Sequence, residues 1–203
     1  MEVALQPRMI QFSLAPAYQP SVRRAERNRR TVYAYHCRGL ADPFLELFNQ
    51  PNPNESCELR DDASVTPQAL TLLNSDFMTA RAVAMSHAIC SETQNTEEAI
   101  GSAFRRILGR EVTIAEVEQL EIFMQDTREN DERESKAKEP YPIEISRSLV
   151  EEFSGSRFEY REILPKFENY EADLGMHEVS KHCRSLADVC LLLMNTNEFL
   201  FVD

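Results

Sequence analysis

Four polar residues sit where chemistry could be done: Arg60, Gln68, Asn74 and Arg81. The last three fall in one predicted helix over residues 67–90, started by Thr66 as a cap and Pro67 at the first helical position. Leu70, Leu73, Phe77, Ala84 and Ala88 recur at the helical period and predict its buried face. Asn74 and Arg81 lie inside that stripe, seven residues apart and so nearly one above the other. A polar group there costs roughly 1–3 kcal/mol if it finds no partner. Either the two line a cleft, or they bond carbonyls or carboxylates of a neighbouring segment and fix its register; the second reading is preferred. Asn74-Ser75-Asp76 is also cap-type chemistry in mid-helix, which allows a break or kink near Asn74. The loop just upstream gathers Glu55, Glu58, Arg60, Asp61 and Asp62 and is the first candidate for a polar site, because loops carry function more often than cores do. More simply, Arg60 beside Asp61 and Asp62 is an internal ion pair.

Other chemistries are weaker. Phe153, Phe158, Tyr160, Ile163, Leu164, Phe167 and Tyr170 interleave with Glu151, Glu152, Glu159, Glu162, Glu168 and Glu171. Carboxylates beside aromatic rings suit sugar hydrolysis, but no pair stands out, and an amphipathic segment with rings in and acids out is preferred. His36-Cys37 and His182-Cys183 would make a four-ligand metal site only if folding joined them, and neither has a short chelating spacing. Of five cysteines, Cys90 and Cys190 sit in apolar helices and read as buried thiols. Cys37 and Cys57 flank one loop region, where an oxidising compartment would permit a disulfide. No Cys-x-x-Cys-His is present, so no c-type haem attaches to this chain. Also missing are a Gly-rich phosphate loop, a Gly-x-Ser-x-Gly elbow and a His-Glu-x-x-His.

The elements that must position these residues are mostly helices. Five glycines and no Trp in 203 residues, with abundant Leu, Ala and Glu, favour a mainly α fold. Helices are expected near 67–90, 96–108, 113–135 and 185–199. Asn95 caps the second, Gly109 follows it, and Thr113-Ile114-Ala115-Glu116 is a capping box for the third. Ile100, Phe104, Ile107 and Leu108 form one stripe; Val117, Leu120 and Phe123-Met124 form the next. The two make a hairpin expected to pack on the 67–90 helix. Residues 125–138 are almost wholly charged and read as solvent-exposed. Asp42–Phe48 reads as a short helix, 143–146 as extended, 148–153 as a short helix and 173–181 as loop. Met194-Asn195-Thr196-Asn197-Glu198-Phe199 is similar to Leu73-Asn74-Ser75-Asp76-Phe77, and both could break a buried helix so that polar groups meet. Short extended pieces are expected at 9–14 and 31–35. Residues 1–30 form an irregular arm and 31–203 a single helical domain. Arg23–Arg30 is the one basic cluster, read as a solvated turn. A net charge of −12 argues against general nucleic-acid binding, and no run approaches the length of a membrane span.

The run Arg60…Ser64-Val65-Thr66-Pro67-Gln68-Ala69-Leu70-Thr71-Leu72-Leu73-Asn74 resembles the hallmark of a C-terminal domain abundant in planctomycete bacteria, a domain of unknown function numbered fifteen fifty-three. Arg29-Arg30-Thr31-Val32-Tyr33, Phe48-Asn49-Gln50-Pro51 with Cys57, and Ala187–Phe199 resemble further motifs of that family in the same order. The resemblance implies a long exported protein carrying a cytochrome-c-type domain and a companion domain upstream. It therefore implies that this chain is a C-terminal piece, although Met1–Arg8 does not have the pattern of a signal peptide. Haem would belong to the upstream domain alone, with no cofactor in this chain, and the upstream domains would be its partners. The family brings no catalytic residues to carry over. The expected function is a non-catalytic accessory or interaction domain. The alternative is part of a hydrolase or redox enzyme acting on complex polysaccharide, using the 52–62 loop with Asn74 and Arg81.

Overall fold

The computed structural model describes residues 21–33, 43–51, 65–131, 143–163 and 169–201. The expected strand at 9–14, Arg60 and most of its loop, His36-Cys37, Cys57 and the charged residues 132–138 lie outside them. The fold is mainly α: eight helices and one two-stranded sheet occur among the described residues. Internal contacts divide the chain into two compact units, residues 61–138 with 173–203 and residues 1–60 with 139–172.

The first unit is helical. It holds α3 (Val65–Asn74), α4 (Asp76–Glu92), α5 (Thr96–Ile107), α6 (Ile114–Glu129), α7 (Lys181–Leu193) and α8 (Asn197–Leu200); the two short helices before them, α1 (Arg24–Arg27) and α2 (Pro43–Glu46), belong to the other unit. Its centre is α7, which packs on α4, α5 and α6. Leu186, Ala187, Val189 and Cys190 of α7 are fully buried, against Ile89 of α4, Ile100 and Ala103 of α5 and Met124 of α6. Burying each large aliphatic side chain contributes about 1.5–3 kcal/mol. The expected α5–α6 hairpin is present, but α6 packs on α7 and α5, and only α5 packs closely on α4. Gly109, at φ 75°, takes the left-handed conformation that closes α5.

The helix expected over 67–90 is two helices, broken at Ser75. Asn74 Nδ2 donates to the Leu70 carbonyl at 2.8 Å, and Ser75 Oγ accepts from the Met78 amide at 3.2 Å as the cap of α4. The break between α7 and α8 is built the same way. Asn195 Nδ2 donates to the Leu191 carbonyl at 2.8 Å, and Thr196 Oγ1 accepts from the Phe199 amide at 3.3 Å. In both, the Asn ends one helix and the hydroxyl starts the next. The polar groups are satisfied locally rather than by meeting one another.

The break also overturns the predicted buried face. Leu70 is 57% and Leu73 49% exposed, and Ala84 and Ala88 are exposed too. The inward residues are Leu72 of α3 and Met78, Ala82, Val83, Ser86, Ile89 and Cys90 of α4. Small apolar residues run all round α4, so its composition does not single out a face. Ser86 is tolerated inside because its hydroxyl donates to the Val83 carbonyl at 2.9 Å. At the other end of the unit, α7 begins at Lys181, four residues before the expected start, because Ser180 caps it through the Cys183 amide. Leu192, on the outer side of α7, is 47% exposed.

The second unit holds α1, α2 and a hairpin of β1 (Glu144–Val150) and β2 (Arg157–Ile163). The strands are antiparallel, with Glu144 opposite Ile163 and Val150 opposite Arg157. The short helix expected over 148–153 is thus the end of a strand and a turn, in which Gly155 takes φ 69°. Pairing with a β-branched and aromatic partner strand outweighs the weak local helix signal. The expected arrangement of rings in and acids out is also overturned. Phe153 is 99% and Phe158 49% exposed, whereas Glu162 is 8% exposed and paired with Arg147. Residues 31–33 form a single 3-10 turn, not a strand, with Val32 72% exposed. Nor is the basic cluster merely solvated. Arg27 is buried, its guanidinium donating to the carbonyls of Ser21, Val22 and Glu171 and stacking 4.5 Å from the Tyr170 ring centroid.

Candidate functional site

The structure places Arg81 in the middle of α4, its Nη2 2.8 Å from Asp173 Oδ1 in the segment leading toward α7. Its guanidinium carbon also lies 5.4 Å from the Phe77 ring centroid, one turn earlier. Asn74 is exposed and spends its amide on α3 itself. Gln68 is half-buried on α3, and Arg60 lies outside the described residues. Arg81 therefore bonds a carboxylate from a segment distant in sequence, whereas Asn74 bonds only its own helix. Both side chains of this pair are about a quarter exposed, at 22% and 25%, so water weakens their attraction. Arg81→Ala should cost about 1 kcal/mol, and a double-mutant cycle with Asp173→Ala should return a coupling of roughly 0.5–1 kcal/mol. A coupling near zero in urea melts would show that the pair ties nothing together.

A more extensive constellation joins the α5–α6 connection to α8. Arg110 follows Gly109; its Nη2 lies 2.7 Å from Glu116 Oε1, and its Nε lies 2.6 Å from Glu198 Oε1. The same guanidinium stacks 5.0 Å from the Phe104 ring centroid. Glu116 also closes the expected capping box, its Oε2 accepting from the Thr113 amide at 2.8 Å while Thr113 Oγ1 accepts from the Glu116 amide. These contacts raise the Arg110 pKa further above its ordinary range. Arg110, then the Thr113 amide, hold the Glu116 carboxyl down at about 2, against an ordinary 4.5. Glu198 is lowered too, by Arg110. A carboxyl depressed on folding contributes stability that is complete above its unfolded pKa and is lost as pH falls toward its folded pKa. The contribution of Glu116 should therefore disappear between about pH 4.5 and 2. Glu116→Gln should flatten the dependence of the urea midpoint on pH in that window. An unchanged slope would place the depressed carboxyl elsewhere.

A third constellation ties the end of α6 to α7. Arg184 Nε donates to Asp131 Oδ2 at 2.8 Å, and its Nη1 donates to the Val179 carbonyl at 2.9 Å and the Met176 carbonyl at 3.3 Å. The Asp131 side chain is 2% exposed and that of Arg184 13%. The charged run after residue 125 was expected to face solvent, so Asp131 is a correction: one acid in that run turns inward to meet a guanidinium 53 positions away. No periodic or local signal marks it. The same holds for Glu198, 88 positions from Arg110.

Beside Arg184, His182 is half-buried and its pKa is lowered, first by burial and then by Arg128. Among the described residues no group of three or more His, Cys, Asp or Glu side chains is placed to hold a metal ion. A shallow polar groove is lined by Thr96, Glu121, Gln125, Arg128 and Glu129, and none of the four sequence candidates lines it. Among the described residues no helix is long and apolar enough to cross a membrane.

A family model described as PSD1, protein of unknown function (DUF1553), matches residues 4–124. No curated protein and no solved structure matches the chain.

Proposed function

The chain belongs to the family of unknown function DUF1553, matched over more than half of its length, and from that premise we propose that it is a non-catalytic accessory or interaction domain of a cytochrome-c-linked, exported planctomycete protein. One observation carries this reading. The charged side chains that the helical unit draws inward or half inward hold its own segments together: Arg81 with Asp173, and Arg184 with Asp131 and two carbonyls. A catalytic centre would instead need such groups convergent on a space that a substrate can enter. The cytochrome-c-type and companion domains implied by the family resemblance are the partners in this reading, and any haem resides in them.

The reading is tested on the purified chain by elemental analysis and by turnover assays with polysaccharide substrates and with redox dyes. Activity at background level, unaltered in Asn74→Ala and Arg81→Ala variants, is the expected result. Stoichiometric metal, or turnover abolished by Arg81→Ala in a variant that still folds, would replace the accessory reading with the enzyme alternative.

A further inference from the structure

The β1–β2 hairpin of the second unit has only two strands among the described residues, so each strand carries one outer edge. The ladder fixes which backbone groups point outward. In an antiparallel pair, opposed residues alternate between those that exchange hydrogen bonds and those whose N–H and C=O groups face away. The Glu151 amide donates to the Ser156 carbonyl at 3.0 Å, next to the turn. Alternating from there through the register, Leu149 with Phe158, Arg147 with Tyr160 and Ile145 with Glu162 are the bonded pairs. The outward groups of β2 are therefore those of Arg157, Glu159, Arg161 and Ile163. All four residues are exposed, Ile163 at 66%. Arg161 pairs with Glu144 yet keeps 82% of its side chain open to water. Among the described residues Arg157 and Glu159 have no ion-pair partner.

The order of these charges decides what the edge accepts. When β2 lies antiparallel to a second copy of itself, outward residues must oppose outward residues. Centred on Tyr160, that pairing sets Glu159 opposite Arg161 of the second copy, and Arg161 opposite its Glu159. Arg157 then faces Ile163, and no like charges are opposed. Centred on Glu159, glutamate would meet glutamate and Arg157 would meet Arg161. Centred on Arg161, arginine would meet arginine. Centred on Phe158, only Arg157 to Glu159 of each strand would overlap. Opposite charges directly across a sheet stabilise it and like charges destabilise it. The edge of β1 presents Glu144, Ser146, Ser148 and Val150, with one charge and no such selection.

We propose that the outer edge of β2 is a self-association surface, on which a second copy of this chain adds its own β2 antiparallel about Tyr160. Two hairpins then form one four-stranded sheet. The same residues serve both copies, so the contact closes on itself as a two-fold dimer. The charges reject the neighbouring registers, as charged side chains on sheet edges commonly do against misplaced pairing. A single strand edge is a small interface, so the dimer is reversible.

The experiment is sedimentation velocity of the full chain from micromolar to millimolar concentration. The native chain should pass from monomer to dimer. Glu159→Arg and Arg161→Glu each set two like-charge pairs across the two-fold, and each should weaken dimerisation by about tenfold or more. An equimolar mixture of these two variants should associate again, as should the double variant carrying both changes, because each restores opposite charges. A chain monomeric throughout, or a dimer that survives both single reversals, would overturn the proposal. So would single variants that lose dimerisation and are rescued neither by mixing nor by combining, because the charges would then act within the hairpin and not between copies.

Discussion

Arg184→Ala should be the costliest single substitution of a charged residue in the helical unit, at about 3–5 kcal/mol. The substitution leaves the Asp131 carboxylate, 2% exposed, without its guanidinium, and strips the Val179 and Met176 carbonyls of a donor. A buried charge that loses a partner costs more than the pair it came from stabilises. Asp131→Ala should cost less, toward 3 kcal/mol, because Arg184 keeps both carbonyls and is more open to water at 13% exposed. Replacing both by apolar residues of similar size should cost less than the sum of the two single changes. The chain has no Trp, so urea melts are read from helix circular dichroism. Equal costs for the two single variants would mean that the carbonyl bonds of Arg184 contribute nothing.

Phe104→Ala should destabilise the unit by a comparable amount, about 3–5 kcal/mol. Phe104 is 2% exposed in the core formed by α4, α5 and α7, and its ring also carries the Arg110 guanidinium. Removing the ring opens a cavity and withdraws the platform under the cation that joins Glu116 and Glu198. The loss should therefore couple to Arg110→Ala in a double-mutant cycle. Ile122 provides the contrast: also large and apolar, but 70% exposed on α6, its replacement by Ala should change stability by no more than about 0.5 kcal/mol. A Phe104→Ala cost that small would mean that α5 does not depend on its inward face.

Local chemistry in this sequence was legible and distant pairing was not. Thr113, Asn95 and the Asn-Ser and Asn-Thr breaks act on backbone groups within four residues, so the short-range pattern contains their partners. The stripe of α5 was legible because its charged residues occupy the other face. In α4 the apolar residues surround the helix, and a single stripe run across the break at Ser75 places Leu70 and Leu73 of α3 inside, where the structure has them exposed. The hairpin was missed in part because a strand is defined by its partner: Ser148 to Val150 have little strand character until Arg157 to Glu159 lie opposite. At the candidate site, Arg81 has a partner in Asp173, although the stripe in which it was placed is not the buried face. Nothing in the spacing could name Asp173, Asp131 or Glu198, because the fold brings them in from other segments.

The most direct test of the accessory reading is calorimetric titration of the purified chain into the cytochrome-c-type domain of the longer protein it is proposed to serve. Saturable one-to-one binding, with no substrate turned over by this chain alone, is the result expected of an interaction domain. No binding to that domain or to its companion domain, together with turnover by the isolated chain, would contradict it.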